Sequence, residues 1–128
     1  DLARDDVNKI SYVLSGPADL DAARAAFPAL AHGSWGGRGH AALFGDMGVR
    51  GIAKSRAIDL LLARIGAELA DTVALGDAMV DIDMLGHCGV GVAMGNASQA
   101  VKDVADLVTD DVEDDGLAKA LARLGLLG

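Results

Sequence analysis

Aromatic side chains are scarce in this chain, and their scarcity limits both the core and the ligands. Phe, Trp and Tyr together make up 3% of the 128 residues, whereas apolar residues as a group make up 52%. The core must therefore be built mostly from aliphatic side chains. The chain also offers few rings on which a nucleic-acid base or a sugar could stack.

Cysteine is nearly absent as well. The single Cys88 excludes an internal disulfide and indicates a reducing compartment, so we expect a cytoplasmic location. The longest apolar runs fall well short of the ~18 residues that a membrane-spanning helix needs, and no signal peptide is visible. We expect no contact with a membrane.

Basic residues are outnumbered. Eleven Lys and Arg stand against 19 acidic residues, which gives a net charge of -8. Such a chain repels polyphosphate backbones, so general binding to nucleic acid is not expected. Seventeen of the acids are Asp and two are Glu, and Asp favours caps, turns and metal sites over helix faces.

The chain divides into two parts that differ in their pattern of apolar residues and in the secondary structure it predicts. In residues 1–45 the pattern predicts a strand over 9–14 and a helix that Pro17 begins and Pro28 stops. A glycine cluster at 33–39, set between two short apolar pieces, predicts a loose β-hairpin. We interpret this part as the tail of a small α+β module.

Beyond Gly48, predicted helices alternate with apolar strands. Helices are predicted over 54–65, 80–87, 98–105 and 116–124, and strands over 72–75, 90–94 and 106–109. Gly66 is the candidate C-cap of the first helix, and the acidic run 110–115 is predicted to be a solvated loop that caps the last one. Strands that are apolar on both faces are typical of a parallel α/β sheet.

The strongest candidate site follows the strand at 72–75. Asp77 comes directly after the strand-ending Gly76, and Asp81 lies four residues further on. Ligands bind at the carboxyl ends of strands in open α/β sheets, and two carboxylates there can hold Mg²⁺. The spacing fits equally well a turn residue at 77 and a helix N-cap at 81.

Two further features are open to both a functional and a structural interpretation. Lys54 begins a helix, where its charge opposes the helix dipole; it either neutralises a phosphate or carboxylate or is an ordinary exposed lysine. Gly95 and Asn96 form a candidate left-handed turn pair, with Asn96 either facing the site or serving the turn. Three groups receive no site role: the histidines lack ligand spacing, Cys88 is expected in the core, and Met79, Met84 and Met94 are expected to pack.

An ordered set of motifs resembles the C-terminal half of a Cof-type phosphatase, a branch of the haloacid dehalogenase (HAD) superfamily. The resemblance runs from about residue 48 to 121. It rests on six segments: Lys54-Ser-Arg-Ala-Ile58, Gly76-Asp-Ala-Met-Val-Asp-Ile-Asp-Met-Leu85, Gly89-Val-Gly-Val-Ala-Met-Gly-Asn-Ala97, Val101-Lys102, Ala105-Asp-Leu-Val-Thr109 and Gly116-Leu-Ala118. It implies an α/β fold with a partial Rossmann-like (HAD-like) parallel sheet and helices on both faces. Residues 1–45 would be the C-terminal part of an α+β cap domain, and 46–128 the C-terminal part of the core.

The resemblance also implies a chemistry. A family member would be a Mg²⁺-dependent phosphatase that hydrolyses small phosphorylated metabolites through an aspartyl-phosphate. On that pattern Asp77 would bind Mg²⁺, Asp81 would support the metal or its waters, and Lys54 would balance the charge of nucleophile and phosphate. Asn96 is a weaker candidate for contact with the substrate.

The chain departs from the family pattern in several places. Val80 stands where the family has an Asn that helps to bind substrate, and Ser55 stands where Gly is usual. The nucleophile motif, an Asp-x-Asp that follows an N-terminal strand, is missing, and the triplet Asp81-Ile-Asp83 cannot replace it because it lies inside the segment 76–85, where a helix begins. The Ser/Thr phosphate-binding motif is missing too, and the chain begins with Asp1. We therefore expect a fragment that is inactive by itself.

Two other classes of function are alternatives to the hydrolase. One is a non-catalytic α/β module that binds a metal or a partner. The other is a phospho-receiver domain, which is disfavoured because Lys54 precedes the acidic motif instead of following it. In the family's sheet the strand at 72–75 lies beside the nucleophile strand, so here we expect an open apolar edge through which the chain forms homo-oligomers.

Overall fold

A computed structural model describes residues 7–35 and 43–127 and divides the chain into two compact units, Asp1–Ile52 and Ala53–Gly128. The two are called the first and the second unit below. Most of the predicted glycine-rich loop and His40 lie outside the described residues. None of the described helices has the length and apolar character needed to cross a membrane.

The first unit is an antiparallel sheet with one helix. Its elements are β1 (Lys9–Val13), α1 (Pro17–Ala26), β2 (Ala31–Trp35) and β3 (Phe44–Gly48), and the strand order is β1-β3-β2. The predicted strand, helix and hairpin are confirmed. Because β3 pairs with both other strands, it belongs wholly to this unit, whereas a division at 45/46 would cut it. The identification of the unit as part of a cap stays a prediction.

Local chemistry explains where α1 begins. Pro17 occupies its first turn, where a missing N–H costs nothing. The Asp19 carboxylate accepts hydrogen bonds from the amides of Ser15 (2.6 Å) and Gly16 (3.3 Å), so it satisfies the chain that leads into the helix. All four aromatic residues of the chain precede residue 45, and the rings of Trp35 and Phe44 stack with centroids 4.5 Å apart.

The second unit contains the parallel sheet that the sequence predicts. Its strands are β4 (Val73–Gly76), β5 (Val90–Ala93) and β6 (Leu107–Val108), in the order β4-β5-β6 and parallel throughout. The helices are α2 (Lys54–Ile65), α3 (Ile82–Leu85), α4 (Gln99–Lys102) and α5 (Gly116–Arg123). Gly66 ends α2 in the left-handed conformation, with φ of 69°, as its predicted C-cap role requires.

Several predicted elements are shorter than the pattern indicated. The predicted helix 80–87 is a 3-10 turn, Met79–Asp81, followed by the four residues of α3, and 98–105 contains only the four residues of α4. The Asp106 carboxylate accepts the amide of Gly91 at 2.8 Å, which ties the chain after α4 to β5 instead of continuing the helix. Tertiary hydrogen bonds of this kind leave no periodic signal in the sequence.

One prediction about a turn is wrong, and a second is confirmed only in part. Neither Gly95 nor Asn96 has a positive φ; glycine is needed at 95 because a Cβ there would lie 2.5 Å from the amide nitrogen of Asp111. In the acidic run, Asp111 accepts the amide of Glu113 and so caps a 3-10 turn, Val112–Asp114, rather than α5. The run 110–115 is largely exposed and supplies Asp115 as the N-cap residue of α5, but without a side-chain cap bond.

The core of the second unit is small and aliphatic. Its buried members are Ala74, Leu85, Ala93, Ala97 and Val101, and the partly buried Ile82, Met84, Cys88 and Ala105 pack against them. The expectation of an aliphatic core that includes Cys88 is confirmed. The predicted packing role is wrong for one residue, Met79, because its side chain is 61% exposed.

Candidate functional site

The candidate site lies where β4 ends. Gly76 is the last residue of the strand, and the exposed Asp77 follows it directly. A Cβ on Gly76 would lie only 2.5 Å from the Cβ of Asp81. The glycine therefore allows the side chain of Asp81 to lie against the end of the strand.

Asp81 is the one buried charged residue among those described, at 5% exposed. Its Oδ2 accepts hydrogen bonds from the amides of Asp77 (3.1 Å) and Ala78 (3.0 Å), and its Oδ1 accepts one from Lys54 Nζ. Its side chain makes no cap bond to α3. The carboxylate turns back towards the strand end, so it is neither free nor a simple N-cap.

The electrostatics of Asp81 follow from these contacts. Burial raises the pKa of its carboxyl, but the hydrogen bonds from Lys54 and from the amides of Ala78 and Asp77, together with the charge of Lys54, outweigh burial. The pKa of Asp81 is therefore held below its usual value. This carboxyl is ionised at neutral pH.

Lys54 comes from a different element. It is the first residue of α2, and its side chain is about half exposed (51%) while its ammonium pairs with Asp81. The structure thus places Lys54 against a carboxylate at the site. The ammonium offsets the buried charge of Asp81 and still has an exposed side from which another anion could approach.

Asn96 joins the loop after β5 to the end of β4. Its Nδ2 donates to Asp77 Oδ2 at 2.9 Å, and its Oδ1 accepts the amide of Val112 at 3.3 Å. The amide thus faces the site and also braces the acidic loop. All four predicted site residues, Lys54, Asp77, Asp81 and Asn96, lie in one connected network, and their roles in chemistry stay predictions.

Sequence reasoning missed two contacts that join α2 to α3 and the turn after it. Asp83 Oδ2 accepts the amide of Ser55 at 3.2 Å, and Asp59 Oδ1 contacts His87 Nε2 at 2.6 Å. Hydrogen bonds from the hydroxyl and the amide of Ser55 hold the pKa of Asp83 below its usual value. The only hint in the sequence was the Asp81-Ile-Asp83 triplet, whose second acid had no assigned partner.

The donor set fits Mg²⁺ through one carboxylate rather than two. Both oxygens of Asp81 are engaged, whereas Asp77 is exposed and has one oxygen on Asn96. Residues 7–35 and 43–127 contain no group of three or more His, Cys, Asp or Glu arranged to hold a metal. Mg²⁺ keeps several of its waters and commonly uses one or two protein carboxylates, so Asp77 suits it as a ligand.

A sequence profile of the haloacid dehalogenase-like hydrolases matches residues 1–121. The chain belongs to this family. The match covers both units, and the resemblance to Cof-type HAD phosphatases is confirmed.

Individual HAD relatives agree with this membership. The chain is 42% identical over 82 residues to the putative phosphatase YkrA of Bacillus subtilis, a match covering 64% of this chain and 32% of YkrA. It superposes on the HAD phosphatase BT1666 of Bacteroides thetaiotaomicron with a TM-score of 0.73 and 33% identity, covering 94% of this chain and 42% of BT1666. For the HAD subclass IIB sugar phosphatase BT4131 the TM-score is 0.75 with 30% identity, covering 94% and 44%. The chain therefore spans less than half the length of these HAD proteins.

Proposed function

We propose that this chain is the C-terminal portion of a Mg²⁺-dependent HAD phosphatase that hydrolyses small phosphorylated metabolites through an aspartyl-phosphate. The observation that carries the proposal is the network at the end of β4, in which Lys54, Asp77 and Asp81 come together from two elements. A degenerate module would have no reason to keep a buried, ionised Asp81 paired with a lysine, because burying a charge is costly.

Each residue has a distinct proposed role. Asp77 holds the metal, which when bound withdraws charge from the phosphoryl group. Asp81 keeps its charge, orients the amides of Asp77 and Ala78, and fixes the ammonium of Lys54. Lys54 offsets the negative charge of phosphate and nucleophile, and Asn96 holds Asp77 and lies close enough to the site to contact substrate.

The substrate class is supported by the relatives and by the chemistry of the site. BT4131 is described as a sugar phosphatase, and a small phosphorylated metabolite suits a site whose charged groups match one phosphoryl group. Val80 changes the local recognition. Its side chain is 66% exposed and apolar where the family has Asn, so it provides no hydrogen bond to the phosphate or the substrate.

Asp-x-Asp occurs twice in the 128 residues, as Asp19-Leu-Asp21 inside α1 and as Asp81-Ile-Asp83 at the start of α3, and neither triplet directly follows a strand. We propose that the chain is inactive alone. The purified chain is mixed with Mg²⁺ and a chromogenic phosphate ester. Because no carboxylate is available to attack phosphorus, the expected rate equals that of a protein-free blank. Turnover above the blank that is abolished in Asp77→Ala would refute the proposed inactivity.

The alternative function is a non-catalytic α/β module that binds a metal or a partner. The missing nucleophile motif and the apolar Val80 favour it. Determining the coding DNA upstream of the Asp1 codon separates the two. An in-frame strand followed by Asp-x-Asp supports the hydrolase, whereas a start codon at that point supports the module.

The open edge of the sheet supports a second proposal, about assembly. Within the described residues β4 pairs with β5 alone, and unpaired strand edges recruit other strands. We therefore propose homo-oligomerisation through β4 when the chain is isolated. The cytoplasmic location rests on the single cysteine and stays a prediction.

A further inference from the structure

The first turn of α2 lacks every local device that normally stabilises a helix start. Its N-cap is Ala53, which has no side-chain oxygen, and its first turn carries no acidic residue. It carries two basic residues instead, Lys54 and Arg56. Free amides and positive charge thus coincide at the positive end of the helix dipole, which is unfavourable.

The missing acceptor comes from another helix. Asp83, on α3, directs its Oδ2 at the amide of Ser55, 3.2 Å away. The contact supplies both an acceptor for a first-turn amide and a negative charge beside the helix N-terminus. It is a cap made by tertiary structure.

This cap lies next to the site. Ser55 follows Lys54, and Asp83 lies two residues after Asp81. The hydrogen bond from the Ser55 amide to the Asp83 carboxylate therefore runs beside the ion pair between Lys54 and Asp81 and joins the same two segments. Without it, the first turn of a helix is free to fray, and Lys54 is the residue that frays first.

We propose that Asp83 is a positioning residue that holds Lys54 on Asp81 by capping α2 through the amide of Ser55. The value of that position for phosphoryl transfer rests on the proposed function, whereas the position itself does not.

The test measures how well the ammonium of Lys54 is protected. The full chain is acylated at one fixed pH under limiting reagent, and the labelling rate of each lysine is measured by mass spectrometry. Lys9, Lys102 and Lys119 serve as internal references, because each contacts an oxygen acceptor outside this region.

Three variants separate the explanations. Asp83→Ala removes charge and acceptor, and Asp83→Asn removes the same charge but keeps an oxygen that can accept the Ser55 amide. Asp59→Ala is the matched control. Asp59 lies on α2, the helix whose first turn is capped, but it contacts His87 away from that turn. The circular dichroism spectrum of each variant confirms that it is folded.

We expect labelling of Lys54 in Asp83→Ala to rise about twofold to fivefold over the wild type, which corresponds to losing one exposed hydrogen bond. Asp83→Asn is expected to stay at least twofold below Asp83→Ala, and Asp59→Ala to match the wild type. Equal rates in the two Asp83 variants would show that charge alone acts. A similar rise in Asp59→Ala would show general loosening of α2. Either result overturns the proposal, and neither bears on whether the protein is a phosphatase.

Discussion

Asp81→Ala should destabilise the second unit strongly, because the carboxylate it removes is buried and fully engaged. The side chain of Asp81 is 8% exposed and accepts bonds from two amides and from Lys54. Truncation leaves the amides of Asp77 and Ala78 without their acceptor, at about 1 kcal/mol each for a net hydrogen bond. Because Lys54 is half exposed and regains water, its pair adds only about 0.5–1 kcal/mol. The expected loss in unfolding free energy is about 3 kcal/mol.

Native-state hydrogen exchange at the amides of β5 measures this loss within the second unit. Trp35 lies in the first unit, so its fluorescence reports on unfolding there and serves as a reference. Asp110→Ala is the matched control: it removes an exposed carboxylate that pairs with Lys119 and should leave β5 protection nearly unchanged. A loss below about 1 kcal/mol in Asp81→Ala, or one equal to that of Asp110→Ala, would refute the reasoning.

Three further predictions concern pH, packing and assembly. Because the pKa of Asp81 is lowered in the folded state, its stabilising effect is present above the unfolded pKa and is lost as pH falls through the folded pKa. The difference in unfolding free energy between the wild type and Asp81→Ala, measured by urea unfolding, should therefore stay constant from neutral pH to about 5 and shrink below about 4. A Cβ on Gly91 would lie 2.2 Å from a backbone oxygen of α3, so Gly91→Ala should lower the unfolding free energy by about 2–3 kcal/mol in the same assay. Gly86→Ala is the control, because its Cβ would make an ordinary 3.5 Å contact and should cost under about 0.5 kcal/mol. Equal losses in the two variants would contradict the close packing at Gly91. Light scattering over a concentration series should show association of the isolated chain, whereas a clean monomer with slowly exchanging Val73 and Leu75 amides would mean that β4 is covered.

The parts of the fold that were predictable are those with a strong local signal. The apolar stripe of α2 and the left-handed Gly66 predicted its bounds, and the continuous apolar runs predicted a parallel sheet. The short α3 and α4 were overestimated, because tertiary bonds such as that from Gly91 to Asp106 end the periodic pattern early.

The residues of the site also differ in how far the sequence could predict them. Asp77 and Asp81 could be found because acids that follow a strand end are a local pattern. The direction of the Asp81 carboxylate could not, since it depends on how closely Gly76 lets the chain approach. The contact between Ser55 and Asp83 joins residues 28 apart in sequence, and no spacing rule connects them.

Titration of Mg²⁺ into the ¹⁵N-labelled chain, followed by amide chemical shifts, tests the central claim most directly. We predict shifts centred on Asp77, Ala78 and Asn96, with a millimolar dissociation constant (roughly -4 kcal/mol), because one carboxylate leaves most of the coordination to water. The shifts should vanish in Asp77→Asn. Micromolar binding that survives in Asp77→Asn, or shifts centred on the acidic run 110–115, would contradict the assignment of the site.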